Sequence, residues 1–250
     1  MGMIILETKD LVKKFGKLRA LDGVNLKIHS GMIYLLMGPN GSGKTTLINC
    51  ISGIYKPDEG KIFFKGIDIT GKSPHEIAKL GIIRTFQIPE PFKKMSVFEN
   101  LLAYADNPGE NFLSAFFKEK WNKQENELKE KAVSISSYLQ LYDQLNLLAK
   151  ELSGGQLKIL EFLKTRMNYP ELCLVDEPVG SINPVLANKI FSWIQEIKDK
   201  ERVTFVVVEH RLDIALKYVD YVYVMGYGKI MCEGSPEKIL DNPIVREIYL

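Results

Sequence analysis

Residues 38–45 have the composition of a phosphate-binding loop. They match the pattern G-x-x-x-x-G-K-[ST] and read Gly38, Pro39, Asn40, Gly41, Ser42, Gly43, Lys44 and Thr45. Glycines allow a backbone to curl and to point its N–H groups at an anion, while a lysine and a hydroxyl suit phosphate and Mg²⁺. The loop therefore predicts a site for a nucleoside triphosphate. The alternative is a glycine-rich turn that happens to carry Lys-Thr.

The flanking segments favour the nucleotide site. An apolar run from Met32 to Met37 precedes the loop and predicts a buried strand. A helix-compatible run from Thr45 to Ile51 follows it. Strand, glycine loop and helix form the context in which this motif binds phosphate, because the helix directs its unpaired N–H groups at the same point.

A second strand ends in a pair of acids. The apolar run that begins at Leu172 ends at Asp176, Glu177 and Pro178. Ligands of an open parallel sheet bind beyond the carboxyl ends of its strands, where the glycine loop would also lie. We therefore expect Asp176 to reach Mg²⁺ and Glu177 to orient or deprotonate a water molecule. The alternative is two acids that cap the next turn.

Four further features leave alternatives open. His210 follows the apolar run Val203 to Val208 and either serves a structural role or contacts a γ-phosphate or its attacking water. Gln87 lies at a strand exit before two prolines, where a surface glutamine is the ordinary outcome. Phe15 suits either the core or the face of a purine. Residues 153–156, Ser-Gly-Gly-Gln, suit either a helix cap or a second anion site.

Composition sets the class of the protein. The chain has 250 residues, of which 46% are hydrophobic and 26% charged, an ordinary composition for a globular protein with a large core. A net charge of +2 gives no general attraction to nucleic acid, so no nucleic acid partner is expected. The three cysteines lack metal-ligand spacing. No N-terminal signal and no apolar run near the ~18 residues of a membrane span are visible, so a membrane role would come through partners.

A polar block interrupts the alternation of strands and helices. Leu113 to Asp143 predicts either a helical hairpin or one long helix, with acid-first i,i+4 pairs such as Glu125 and Lys129 on a solvated face. Placed between βα patterns, this block indicates an inserted helical subdomain over about residues 90–165.

The whole set of motifs, in this order, resembles the ATP-binding cassette (ABC) ATPases over essentially all 250 residues. The resemblance implies an α/β P-loop NTPase fold with a mainly parallel core sheet, an antiparallel β subdomain and an inserted helical subdomain. Residues 1–89 and 166–250 would form the nucleotide-binding core with the β subdomain. Residues 90–165 would form the helical subdomain, which carries the signature motif.

The resemblance also implies roles for matching residues. Glu177 is the expected catalytic base, and the other expected catalytic groups are His210, Gln87 and Lys44. The expected Mg²⁺ site consists of Thr45, Gln87 and Asp176. The expected ATP contacts are Phe15 on the adenine, the loop from Gly38 to Thr45 with Thr46, and the signature residues Ser153, Gly154, Gly155 and Gln156. The signature motif contacts ATP held by a second ATPase subunit, identical or related, in a dimer that closes on two ATP molecules.

A finer resemblance concerns the transported solute. Residues 84–89 (Arg-Thr-Phe-Gln-Ile-Pro), Ile182-Asn183-Pro184 and the ending Val245 to Leu250 are similar to the ATPase subunit of importers for branched-chain and other hydrophobic amino acids. This implies transmembrane permease partners, an extracytoplasmic solute-binding protein and a place on the cytoplasmic face of the membrane. Asn183 replaces the aspartate of most cassettes, and Leu157-Lys158 and Ser181 also depart from the usual pattern. The alternatives are a cassette for another solute, such as urea, an amide or a lipid, or a non-transport ABC ATPase.

Overall fold

The computed structural model of the protein describes residues 2–85, 90–105, 118–138, 141–180 and 182–249. The chain forms two compact units. The first consists of Met1–Arg84 and Glu171–Leu250, and the second of Thr85–Pro170.

The first unit contains ten strands in its described residues. They are β1 (Ile4–Phe15), β2 (Leu18–His29), β3 (Ile33–Met37), β4 (Glu59–Phe64), β5 (Ile67–Asp68), β6 (Ile82–Arg84), β7 (Leu172–Asp176), β8 (Thr204–Val208), β9 (Tyr221–Gly226) and β10 (Lys229–Gly234). The helices of this unit are α1 (Lys44–Ile51), α2 (Pro74–Lys79), α6 (Pro184–Glu201), α7 (Leu212–Ala215), α8 (Pro236–Leu240) and α9 (Pro243–Tyr249). The second unit has α3 (Val97–Tyr104), α4 (Lys118–Tyr138) and α5 (Gly154–Arg166).

A six-stranded sheet, in the order β10-β9-β3-β8-β7-β6, forms the centre of the first unit. All neighbours pair in parallel except β9 and β10. Every residue of β3, β7 and β8 is buried, which explains their continuous apolar sequences. The register pairs Val208 with both Leu36 and Asp176, so the carboxyl ends of these three strands meet at one edge.

A separate four-stranded sheet in the order β2-β1-β4-β5 is antiparallel throughout. Together with the mainly parallel sheet, it confirms the predicted fold class. Strand β1 is long, running from Ile4 to Phe15 through several polar residues. Register shifts between Thr8 and Leu11 carry the pairing past the polar residues, and Asp10 takes a φ of 46° there.

The second unit is held together by polar side chains as well as by apolar packing. The Asn100 amide is buried; it accepts from the Phe92 N–H at 2.8 Å and donates to the Phe92 and Ser96 carbonyls. Ser96 caps α3 in a reciprocal pair with Glu99. Of the polar block, the structure describes one long helix, α4.

Among the helices in the described ranges, none has both the length and the apolar content to cross a membrane.

Candidate functional site

The loop between β3 and α1 has a backbone that favours glycine at three positions. Gly38, Gly41 and Gly43 have φ angles of 151°, 79° and 104°. A Cβ on Gly38 would overlap the carbonyl oxygen of Met225, and one on Gly43 would lie 2.5 Å from the carbonyl oxygen of Ala20. The loop thus curls against β2 and β9 so closely that no side chain fits at either position.

Lys44 and Ser42 present polar groups that fit a phosphate. The Lys44 ammonium is buried and donates to the carbonyls of Gly38 at 2.8 Å and Pro39 at 3.0 Å. The Ser42 hydroxyl is also buried, and it has no hydrogen-bond partner within the described residues. Because α1 begins at Lys44, its first N–H groups face the same loop. A cation, an unsatisfied hydroxyl and a helix N-terminus together suit the triphosphate of a nucleotide.

The electrostatics of Lys44 connect the loop to the acid pair. Burial lowers the pKa of the Lys44 ammonium, and the nearby carboxylates of Glu177 and Asp176 oppose that shift. Asp176 ends β7 with only 5% of its surface exposed, and burial raises the pKa of its carboxyl. Two acids and one lysine therefore lie close together at the sheet edge, where Lys44 and Asp176 are buried.

Glu177 and His210 meet at this edge. The Glu177 backbone has a φ of 47° and donates its N–H to the Val208 carbonyl at 2.9 Å. Such a conformation is uncommon outside glycine, and it concentrates at functional sites. His210 follows β8, and its Nε2 lies 3.4 Å from Oε1 of Glu177. Both side chains remain partly exposed, so water can reach them.

Arg84 is a site residue that the sequence analysis did not single out. Its Nη2 donates to Asp176 Oδ2 at 3.1 Å, and its Nη1 contacts Asn49 and lies 3.4 Å from Ser52 Oγ. Arg84 thus joins the end of β6 to the acid of β7 and to helix α1. The sequence signal for this role is a charged residue at the end of an otherwise apolar strand.

The position of Phe15 excludes the core alternative for its ring. Phe15 ends β1 with 44% of its surface exposed, so it is not a core residue. Its ring packs edge-to-face against Tyr55 at 5.4 Å, and the Lys13 ammonium lies 5.6 Å from its centroid. An exposed aromatic face with a cation nearby remains free to stack on a flat ligand.

The signature residues lie in the second unit. Ser153 caps α5: its hydroxyl accepts from the Gln156 N–H at 3.3 Å, and Oε1 of Gln156 accepts from the Ser153 N–H at 2.9 Å. The sequence analysis named a helix cap as one alternative, and this capping box realises it. Gly154 is exposed and has open space where a Cβ would lie.

Apart from Phe15, the predicted site residues fall into three groups. The structure brings together Lys44, Asp176, Glu177 and His210 in the first unit, with the glycine loop and the exposed Thr45 beside them. Ser153 to Gln156 lie in the second unit. Gln87 lies outside the described residues. A glycine loop, an acid pair and a histidine at adjacent strand ends, with an antiparallel sheet in the same unit, define a P-loop ATPase of the ATP-binding cassette class.

Comparison with known proteins agrees with that class. The sequence profile of the ABC transporter family matches residues 21–180. The chain belongs to this family, and it is an ATP hydrolase coupled to transport.

Similar proteins include two archaeal ATP-binding subunits. A probable branched-chain amino acid transport ATP-binding protein LivG of Archaeoglobus fulgidus is 50% identical over 99% of this chain and 96% of its own length. The protein of the same name from Methanocaldococcus jannaschii is 46% identical over 99% of this chain and 98% of its length. The BraF protein of Pseudomonas aeruginosa, a high-affinity branched-chain amino acid transport ATP-binding protein, is 36% identical over the whole of this chain and 99% of its length.

Two solved structures have the same fold. A crystal structure of the ADP conformation of an ATP-binding cassette of an ABC transporter superposes with a TM-score of 0.87 at 46% identity, covering 99% of this chain and 98% of that one. A nucleotide-free cassette from an ABC transporter gives a TM-score of 0.86 at 46% identity, with 99% coverage of both chains.

Proposed function

We propose that this chain is the ATP-binding and hydrolysing subunit of an importer for branched-chain or other hydrophobic amino acids. The main support for this solute class is full-length similarity, at 50% and 46% identity, to proteins named for branched-chain amino acid transport. The residues 84–89 and 182–184, which resemble that subfamily, support the same assignment.

The first unit would bind the nucleotide. The backbone of residues 38–46, the Ser42 hydroxyl and the Lys44 ammonium are suited to the phosphates, and Phe15 is suited to the adenine. Mg²⁺ would neutralise charge on the β- and γ-phosphate oxygens. Thr45, whose side chain is exposed in the first turn of α1, would hold it together with Asp176 and Gln87.

Hydrolysis would depend on Glu177 and His210. The Glu177 carboxylate would accept a proton from the water that attacks the γ-phosphorus, as the bond to the β-phosphate oxygen breaks and ADP leaves. The His210 imidazole, 3.4 Å from that carboxylate, would hold it in place and contact the γ-phosphate. Lys44 would balance negative charge as it moves to the leaving oxygen.

The assembly would contain further chains. Residues 90–165 would form the helical subdomain, consistent with the compact second unit, Thr85–Pro170. Ser153 to Gln156 would contact ATP held by a second ATPase subunit, identical or related. Gln87 would link the nucleotide site to transmembrane permease subunits, which would hold the chain at the cytoplasmic face of the membrane and receive solute from an extracytoplasmic binding protein.

The test is solute-dependent hydrolysis by the assembled complex. The chain would be co-purified with its permease subunits, reconstituted in proteoliposomes with the binding protein, and assayed with leucine, isoleucine, valine and urea. We expect hydrolysis and uptake to rise with the branched-chain amino acids. Stimulation by urea alone would overturn the solute class, and hydrolysis that none of these amino acids stimulates in the assembled complex would overturn the proposed role in amino acid import.

Lys44→Ala provides the nucleotide control for the same assay. Loss of the phosphate cation should weaken ATP binding and abolish uptake, while Lys61→Ala, which removes an exposed pair with Asp68, should leave both unchanged. Unchanged ATP affinity of Lys44→Ala in calorimetry would contradict the assigned site.

A further inference from the structure

Glu209 is a buried carboxylate to which sequence reasoning gave no role. Only 1% of its surface is exposed. Its Oε1 accepts from the N–H groups of His210 at 2.9 Å and Arg211 at 3.1 Å, and its Oε2 accepts from the N–H of Val179 at 3.2 Å. Three backbone donors therefore compensate for the desolvation of this one side chain.

These donors belong to two different loops. Residues 209–211 form the histidine loop, which follows β8, and residues 177–180 form the acid loop, which follows β7. The Glu209 carboxylate bonds to both loops. A second link starts from the histidine loop. The Arg211 guanidinium donates to the carbonyl of Ile182, just beyond the acid loop, at 3.1 Å.

The N–H groups that donate to Glu209 belong to the two backbone segments that carry the side chains of Glu177 and His210. One donor is the N–H of His210 itself, and another, Val179, follows Glu177 closely in the acid loop. The Glu177 N–H donates in turn to the Val208 carbonyl, next to Glu209. Since a misplacement of about 1 Å can cost a hundredfold in rate, a fixed spacing between these loops matters for chemistry.

We propose that Glu209 is a positioning residue for ATP hydrolysis. Its carboxylate ties the acid loop to the histidine loop and so sets the 3.4 Å separation of His210 Nε2 and Glu177 Oε1. The inference rests on the proposed roles of Glu177 and His210. A carboxylate is required because an apolar side chain of this size would leave three N–H groups without this acceptor, and the N–H of Val179 is buried.

Glu209→Gln is the informative variant. The amide keeps the size of the side chain and one acceptor oxygen for the histidine loop, but it turns an NH₂ group toward the Val179 N–H. We expect kcat to fall at least about tenfold while the KM for ATP changes less than about twofold, because the phosphate loop is untouched. The matched control is Asp220→Asn, since Asp220 accepts from the Ile33 N–H at 2.7 Å at the opposite edge of the same sheet.

A spectroscopic readout separates positioning from general stability. The chain has three histidines, at positions 29, 75 and 210, so the imidazole signals in a nitrogen-15 spectrum can be assigned by substitution. Glu209→Gln should shift the His210 signal in the nucleotide-free protein and leave the His29 and His75 signals in place. Asp220→Asn should not shift the His210 signal.

A double-variant comparison completes the test. In a His210→Ala background, Glu209→Gln should slow single-turnover hydrolysis by less than about twofold, because the group it positions is gone. The same fold-loss in both backgrounds, or unchanged kcat and an unmoved His210 signal, would overturn the inference. Absence of hydrolysis by the wild-type complex would instead overturn the proposed function.

Arg211→Met tests the second link if Glu209→Gln does not fold. It retains the N–H of residue 211 and removes the guanidinium, which contacts the Ile182 carbonyl and, at 3.6 Å, the exposed carboxylate of Asp213. We expect lower kcat at unchanged ATP affinity, and unaltered kcat would overturn the inference.

Discussion

The imidazole Nε2 of His210 lies 3.4 Å from a carboxylate oxygen of Glu177, although the two residues follow different strands. The contact exists because β7 and β8 run in parallel in a register that pairs Asp176 with Val208. The negative charge of Glu177 also opposes the lowering of the Lys44 pKa by burial. A glutamate, a histidine and a buried lysine therefore meet at one sheet edge.

Glu177→Gln should leave ATP binding intact and reduce hydrolysis by roughly a hundredfold to ten-thousandfold, because an amide cannot accept the proton of the attacking water. Calorimetry and single-turnover assays measure the two effects separately. Glu196→Gln, which changes a carboxylate paired with Lys200 on the surface of α6, should alter neither. Hydrolysis by Glu177→Gln at the wild-type rate would place the base elsewhere.

The sequence was sufficient to predict the convergence of the strand ends. Buried parallel strands appear as continuous apolar runs, and three such runs end at Gly38, Asp176 and Glu209. The topology of parallel sheets then places their ligands at one edge. The curled backbone of the glycine loop was also predictable in kind, but its close approach to Ala20 and Met225 depends on tertiary packing.

A pair of glycine variants separates backbone strain from steric overlap in that loop. Gly41→Ala meets open space and should cost only the left-handed strain, about 1–2 kcal/mol of unfolding free energy. Gly43→Ala is also strained, at a φ of 104°, and it places Cβ 2.5 Å from the Ala20 carbonyl oxygen, so its cost should clearly exceed that of Gly41→Ala. Urea unfolding of the nucleotide-free proteins measures both. Equal costs would show that the loop can move away from β2.

Side-chain pairs between distant elements could not be predicted from the sequence. Arg84 occupies the end of a short strand, and nothing in the local pattern identifies Asp176 and Asn49 as its partners. Glu209 is similar, since its three donors come from loops whose approach depends on strand order. In both cases the role follows from burial, and burial is a property of the assembled sheet.

Arg84→Met should destabilise the first unit by on the order of 3 kcal/mol, because the buried Asp176 carboxylate loses its cation. Lys65→Met breaks an exposed pair with Glu171 in the same unit and should cost less than about 1 kcal/mol. Denaturant titration of the nucleotide-free proteins measures both values. In the double variant Arg84→Met with Asp176→Asn, part of the loss should be recovered. Equal costs for Arg84→Met and Lys65→Met would show that Asp176 does not need this partner.

Cys50 provides a pH-dependent test of the packing behind the phosphate loop. It lies in α1 with 2% of its surface exposed, and burial raises the pKa of its thiol to about 12. In the unfolded chain the thiol titrates near its ordinary value of 9.0. Above that pH the unfolded chain releases a proton that the native protein retains, so stability falls as pH rises from 9 toward 12.

The measurement compares wild type with Cys50→Ala in urea at about pH 8 and about pH 10.5. Between these values the wild type should lose about 2 kcal/mol of unfolding free energy relative to the variant, because the alanine chain has no thiol to ionise. Effects of other titrating groups cancel in the difference. Cys232→Ala should show the same sign with a smaller change, since Cys232 is only half-buried. A constant difference between wild type and Cys50→Ala over this range would mean that the Cys50 thiol ionises as readily in the native protein as in the unfolded chain, and that α1 does not seal it from water.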